Sequence, residues 1–314
     1  MRSLDYAPRP AHLKWLLDSD PAIRWQVMRD LTDAAPDAIA AERSRVATEG
    51  WGAELIARQS ASGDWGGGHH WDLIALWSLV VLKDLGLDPA SNAARQMIDR
   101  VDKGLVYEPL NNRPFFHGET EPCINGRILG VGAIYKEPND ALAEQLLSEQ
   151  LDDGGWNCEA PKSRCSSFHT TICVLEGLLA YERAGRKSEA LTRARARAED
   201  YLLERRMFRS LRTGDVIDKR WLRFTYPTFW HYDVLRGLDY LREAGCKPGG
   251  RVREAVEVVV ERCHQNGRWP LNLLHPEEIP LQMEIEVGRA SRWNTLRALR
   301  VLRWYNGSGR SSPV

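Results

Sequence analysis

Apolar residues recur along most of this 314-residue chain at the spacing of an α-helix, and two kinds of helical segment alternate. Segments that are apolar on most faces are predicted at residues 21–33, 69–86, 122–136, 168–184, 227–243 and 289–305. Segments with one apolar stripe are predicted at residues 38–58, 91–103, 139–150, 187–206 and 250–265, after a short helix at 10–18. Because a helix that is apolar all round is buried and a striped helix covers the outside, the first kind is predicted to be inner and the second outer.

This alternation predicts an all-α fold, a single (α/α)6 toroid of alternating inner and outer helices. Asp20-Pro21 offers an N-cap followed by proline at the first helical position. No extended alternating apolar pattern indicates a substantial sheet. No stretch reads as a linker long enough to divide the chain, so residues 1–306 are predicted to form one domain and residues 307–314 a disordered tail.

Two copies of the pattern Q-x-x-x-G-x-W stand at residues 59–65 and 150–156, and a shorter Gln-Asn-Gly-Arg-Trp follows at 265–269. We call these the three cassettes. Gln at the end of one helix can bridge to the next, Gly allows a tight turn, and Trp fills the gap between helices. Repetition at intervals of tens of residues predicts an array of similar units.

The cassettes resemble the QW motif of the terpenoid-cyclase and protein-prenyltransferase superfamily, whose members build α/α toroids. Glu121-Pro-Cys123 is similar to the Asp-x-Cys of prenyltransferase β subunits, and Phe168-His169-Thr170 to their Phe-Tyr-His-Thr. The resemblance implies a zinc ion held by Glu121, Cys123 and His169, with a fourth position open to water or substrate. Cys158, which closes the second cassette, is an alternative ligand, and packing roles for the cysteines and the histidine are the other interpretation.

Composition narrows the classes of partner. Lys plus Arg equals Asp plus Glu at 43 each, so no nucleic-acid partner and no binding to anionic surfaces is expected. The N-terminus shows no apolar signal core, and no stretch approaches 18 uninterrupted apolar residues. We therefore expect a cytoplasmic protein without a transmembrane segment. Its six cysteines are then expected to be reduced, as packing residues, nucleophiles or metal ligands.

In a toroid, the N-terminal ends of the inner helices meet at one mouth of the central cavity, where helix dipoles favour anions. The catalytic candidates at this mouth are Asp72, His231 and Asp233, with His231 as a general base because its ordinary pKa lies near neutrality. The candidate substrate-binding residues are His70, Trp71, Phe116, Arg127, Tyr226, Trp230, Tyr232 and Trp293. Helix capping and core packing are the alternative explanation for all of them.

Three functions remain open from the sequence. The first is a zinc-dependent, prenyltransferase-like enzyme, a transferase or a hydrolase, acting on an isoprenoid or other apolar small molecule. The second is a non-catalytic toroid that binds an apolar ligand or a protein partner. The third is a carbohydrate-active (α/α)6 enzyme, which needs two acids across a cleft. The chain has no Asp-x-Asp-Asp and no Asp-Asp-x-x-Asp, which argues against squalene-type cyclisation.

Overall fold

The structure, a computed structural model, describes residues 8–66 and 71–307, and it is mostly helical. The helices are α1 (Pro10–Leu17), α2 (Pro21–Leu31), α3 (Pro36–Ser44), α4 (Gly50–Ala57), α5 (Trp71–Leu85), α6 (Asn92–Gly104), α7 (Pro122–Tyr135), α8 (Asp140–Ser148), α9 (Phe168–Arg183), α10 (Glu189–Glu204), α11 (Val234–Glu243), α12 (Arg253–Glu261) and α13 (Arg292–Gly307). Two short antiparallel strands, β1 (Val106–Tyr107) and β2 (Arg113–Pro114), pair with Val106 opposite Pro114. None of the helices within the described ranges combines the length and the apolar character needed to cross a bilayer. The all-α class is confirmed.

The chain divides into two compact units. The central unit comprises Arg43–Tyr201 and Pro276–Gln282. The terminal unit comprises the segments on either side, with described residues 8–42, 202–275 and 283–307. A closed (α/α)6 ring and a single domain over residues 1–306 stay predictions, and residues 308–314 of the expected tail lie outside the described part of the chain.

Burial within the units follows the two kinds of predicted helix. In the central unit every residue of α7 from Pro122 to Gly132 is buried, as expected for a helix that is apolar on most faces. The striped helix α6 instead buries Ala94, Met97, Ile98 and Val101, which lie on one face at helical spacing. In the terminal unit α13 and α12 repeat this contrast. The prediction of fully buried helices alternating with one-sided ones is confirmed for these pairs.

Helices α7 and α9 of the central unit pack with their backbones unusually close. A Cβ atom at Gly126 would lie 2.6 Å from the carbonyl oxygen of Cys173 and 2.7 Å from the Cα of Val174. A Cβ at Gly177 would in turn collide with the carbonyl of Gly126. The absence of these side chains brings the second turn of α7 against the second and third turns of α9, next to the first turns that carry candidate metal ligands.

Two predicted boundaries differ from the structure. The segment at 38–58 is two helices, α3 and α4, because the chain leaves helical geometry at Thr48 and Glu49 and turns at Gly50 with φ of +63°. The segment at 227–243 begins its helix α11 only at Val234, since Phe229 has φ of +48° and Asp233 is extended at the N-cap.

Candidate functional site

Each cassette tryptophan caps the helix before it. The indole Nε1 of Trp65 donates to the carbonyl of Leu55 at 2.7 Å, and that of Trp156 to Leu146 at 2.6 Å. Both acceptors are the third residue from the end of their helices, α4 and α8, where carbonyls lack the usual partner four residues on; the Leu55 carbonyl also accepts from the Arg58 N–H at 3.3 Å. The tryptophans are therefore buried plugs that also satisfy a helix end.

The cassette glutamines bridge two elements in the same way. The Nε2 of Gln59 donates to Gly63 and to Met97 of α6, each at 3.0 Å. The Nε2 of Gln150 donates to its own cassette glycine at 2.7 Å and to Ala194 of α10 at 2.8 Å. The sequence predicts a bridge from a helix end to the start of the next helix, whereas these acceptors lie inside α6 and α10, each the second helix after its cassette glutamine.

The third cassette lies in the terminal unit and has the same turn in a different register. Trp269 Nε1 donates to Val259 at 2.7 Å, again the third residue from the end of a helix, α12. Gly267 has φ of +77°, as the cassette glycines at 63 and 154 have +93° and +100°. Gln59 and Gln150 each stand six residues before their tryptophan, whereas Gln265 stands only four before Trp269. The position equivalent to Gln59 in the third cassette is therefore Cys263.

Three potential metal ligands converge at the start of α7 in the central unit. Glu121, Cys123 and Cys158 each offer one ligand atom, and these atoms all lie within 4.8 Å of one another. Glu121 is the N-cap of α7, Cys123 lies in its first turn, and Cys158 lies two residues beyond Trp156. The Cys123 Sγ lies 3.5 Å from the Glu121 Oε2, and the Cys158 Sγ lies 3.4 Å from Thr170 Oγ1 in α9.

The loop before α7 is held against that helix by a buried asparagine. The Asn125 Oδ1 accepts from the backbone N–H of Glu119 at 2.7 Å, and its Nδ2 donates to the Glu119 carbonyl at 3.0 Å. The Glu119 carboxylate then accepts from the N–H of Glu121 at 2.8 Å. Asn125 is fully buried, so it fixes the backbone from which the exposed Glu121 side chain extends. Sequence reasoning missed Glu119 and Asn125.

The two thiols have different electrostatics. A hydrogen bond to Cys158 and burial raise the pKa of the Cys123 thiol above its ordinary value. The hydrogen bond from Cys123 lowers the pKa of Cys158, although partial burial acts against this. Cys123 is 6 % exposed and Cys158 is half-buried, so the group reaches from the buried first turn of α7 towards solvent.

The ligand group contains two of the three residues that the resemblance implies. His169 is the second residue of α9 and half-buried, and it is not a member of this group. Its place is taken by Cys158, the alternative ligand. A signal for it was present in the sequence, since Cys158 directly follows a cassette that leads into the same helix.

Two predicted substrate-binding residues of the central unit, Arg127 and Phe116, make contacts within the unit: an ion pair and an aromatic packing contact. Arg127 is 4 % exposed and forms an ion pair with Glu176 of α9, so its charge is already balanced within the unit. Phe116 is buried and packs edge-on against Phe115 with ring centroids 5.2 Å apart. His70 lies outside the described residues, as do the side chains of Trp71 and Asp72.

The remaining candidates lie in the terminal unit, at the start of α11 and α13. Asp233 is the N-cap of α11 and accepts from the Arg236 N–H at 2.7 Å, and burial raises the pKa of this carboxyl despite the nearby Arg297 charge. Tyr226 stacks on Trp293 with centroids 4.2 Å apart. The rings of Trp230, His231 and His275 form a continuous stack, and Tyr232 donates to Met207 at 2.7 Å. Asp233 thus has a capping function.

Comparison of the sequence with protein-family models and with curated proteins finds no match. The geometry of the described residues therefore carries the functional argument.

Proposed function

We propose that the chain is a zinc-dependent, prenyltransferase-like enzyme whose metal is held by Glu121, Cys123 and Cys158 and whose substrate is an isoprenoid or other apolar molecule. The observation that carries the proposal is the convergence of one carboxylate and two thiols within 4.8 Å at the junction of α7 and α9. The repeated cassettes support the α/α toroid architecture, which is part of the same proposal.

The donor set fits zinc. Thiolates and a carboxylate suit this borderline-soft ion, and three protein ligands with an open fourth position are typical of catalytic rather than structural zinc sites. The hydrogen-bonded loop around Asn125 holds the Glu121 backbone, as outer groups hold ligands in other metal sites. Exposure of the Glu121 side chain leaves an approach for a fourth ligand.

A zinc ion bound here would supply Lewis acidity, which would lower the pKa of a thiol or water that coordinates it. The chain's own residues hold and orient this chemistry. Glu121 places a negative charge beside two sulfur atoms, and Thr170 fixes the direction of the Cys158 sulfur at 3.4 Å. Close packing of α7 on α9 at Gly126 keeps the ligands from separating.

Metal analysis of protein purified without chelators tests the proposal. We expect close to one zinc per chain after zinc is supplied, and loss of that zinc in Cys123→Ser and Cys158→Ser. Cys165→Ser is the matched control, because Cys165 is an exposed cysteine in the same loop as Cys158 and is expected to leave the zinc in place. Circular dichroism should show wild-type helix content in every variant.

Cobalt substitution distinguishes the ligand sets. Two thiolates give a stronger sulfur-to-cobalt charge-transfer band than one, so the wild-type band should have the intensity of two thiolates. Cys158→Ser, which is expected to lose the metal, should show no band, and His169→Ala should leave the band unchanged. Zinc-loaded protein is then assayed with prenyl diphosphates and thiol acceptors. Absence of bound zinc at saturating supply would falsify the metal site and leave an apolar-ligand-binding toroid as the function. Zinc retained by Cys158→Ser but lost in His169→Ala would restore the histidine as the ligand.

A further inference from the structure

A hairpin of the terminal unit combines a buried base with an exposed tip. Arg209 pairs with Val216 as an antiparallel bridge, and Ile217 N–H donates to the Phe208 carbonyl at 3.0 Å. Phe208 and Trp221 anchor the two ends at 1 % and 7 % exposure. All residues from 211 to 215 are exposed. We call residues 205–223 the basic hairpin.

The charge of the basic hairpin is unbalanced, although the whole chain is neutral. It contains seven basic and two acidic residues. Arg209 is bound by Glu254, and Arg220 by Asp218. Arg212 and Lys219 are exposed and form no ion pair with any residue that the structure describes. One cation without an ion pair, Arg212, therefore lies in the exposed tip and a second, Lys219, lies four residues beyond it, a feature that the overall charge balance hides.

The basic hairpin also exposes two aliphatic side chains, one in the tip and one just beyond it. Leu211 is 60 % exposed and Ile217 is 45 % exposed, although side chains of this size are usually buried in the core. Between them lie the exposed residues of the tip, including Arg212. Apolar side chains interleaved with cations are typical of elements that rest on an anionic lipid surface, with the apolar groups below the headgroups and the cations beside them.

We propose that the basic hairpin docks on membranes rich in anionic lipid. A single-stranded nucleic acid would be met by aromatic platforms, of which the exposed tip from 211 to 215 has none, and a duplex would be met by cations alone, which leaves the exposed Leu211 and Ile217 without a role. A specific protein interface buries about 800 Å² on each partner, more than a short hairpin tip offers, whereas lipid contact needs only a few inserted side chains. The proposal stands independently of the metal site.

Vesicle flotation of the full chain tests the docking, with phosphatidylcholine vesicles that contain or lack phosphatidylglycerol. We expect binding to the anionic vesicles alone, weakened by high salt. The double variant R212Q/K219Q should bind roughly 30-fold more weakly, from about fivefold for each cation. L211S/I217S should also weaken binding while leaving its salt dependence unchanged, since it removes only the apolar contact.

The control variant K103Q/R193Q changes the net charge by the same amount at two exposed positions of the central unit. It should bind like the wild type. Equal loss in this control would mean that overall charge, not the hairpin, drives binding, and it would overturn the proposal. No binding to anionic vesicles would also overturn it, and so would vesicle-free capture of a protein partner that both hairpin variants abolish.

Discussion

Removing the plug of the second cassette tests how the repeats hold the fold together. Trp156 is fully buried, and Trp-to-Ala substitution at such a site costs about 3–5 kcal/mol for the cavity and the lost transfer free energy. The Leu146 carbonyl also loses its donor at 2.6 Å, and an unsatisfied buried acceptor costs about 1–3 kcal/mol. The expected loss in the free energy of unfolding of Trp156→Ala is therefore comparable to the whole stability of an ordinary domain, which is about 5–15 kcal/mol.

Trp156→Phe separates the two contributions. Phenylalanine retains most of the buried ring but has no N–H, so the expected loss is about 1–3 kcal/mol from the Leu146 carbonyl. Urea unfolding followed by far-UV circular dichroism gives both values, provided that the slope with denaturant is unchanged. Trp51→Phe is the control, because Trp51 is a half-buried tryptophan of the same unit outside the cassettes. It should cost less than Trp156→Phe.

A loss below about 1 kcal/mol in Trp156→Ala would refute the role of this residue as a buried plug, since no cavity at a fully buried tryptophan is that cheap. A Phe variant as unstable as the Ala variant would show that the hydrogen bond outweighs the ring volume. The same pair of substitutions at Trp269, which donates to Val259 at 2.7 Å, should give matching losses in the terminal unit.

Two further perturbations follow from buried groups. Asp30→Asn should cost about 3–5 kcal/mol in urea unfolding, because Arg300, 6 % exposed, would lose its carboxylate partner at 2.5 Å. Burial raises the pKa of the Asp30 carboxyl, but the Arg29 hydrogen bond and the Arg300 charge outweigh this effect and lower that pKa below its ordinary value of 3.8. Its stabilisation is therefore complete above pH 3.8 and is lost as the pH falls through the lower folded value, a loss absent from Asp30→Asn. In the metal-free protein, hydrogen peroxide should join Cys123 and Cys158: two thiols become one disulfide, and peroxide is reduced to water. Peptide mapping without reductant should find this bridge, and its absence would mean that the sulfur atoms do not meet.

Helix positions were accessible to sequence reasoning because burial follows periodicity. The segment predicted at 122–136 is helix Pro122–Tyr135, and that predicted at 168–184 is Phe168–Arg183. Both are apolar on most faces, a pattern that needs no knowledge of neighbours. The cassettes were accessible for a related reason: a fixed spacing of Gln, Gly and Trp is one local turn with one set of hydrogen bonds.

The start of α11 was not accessible in the same way. Residues 227–233 contain Phe229, Trp230 and Tyr232, whose apolar character extends the helical pattern. In the structure Phe229 has a positive φ, and Tyr232 reaches Met207 through its hydroxyl. Phe229 and Tyr232 are buried by tertiary contacts without a helix, so periodicity alone places the boundary too early.

Only two of the three proposed metal ligands could be predicted from the sequence. Glu121 and Cys123 are two residues apart at a helix start, and their proximity is local. Whether Cys158 or His169 joins them depends on the path of the loop between α8 and α9, which no local pattern specifies. That path is set by contacts such as the Asp153 carboxylate accepting from the Ser166 N–H at 2.9 Å.

The second cassette ties this path to the chemistry. The backbone N–H of Trp156 donates to Thr171 Oγ1 at 3.1 Å, and two residues later Cys158 lies 3.4 Å from Thr170 Oγ1. Because the buried ring of Trp156 holds this backbone in place, the plug acts on where the thiol meets α9. The equivalent positions after Trp65 and Trp269 are Gly67 and Leu271, neither of which can ligate a metal through its side chain. The three cassettes thus share the buried tryptophan and differ at the residue two positions after it. Trp156→Phe should therefore keep the zinc, whereas Trp156→Ala should weaken zinc binding even under conditions where the variant remains folded.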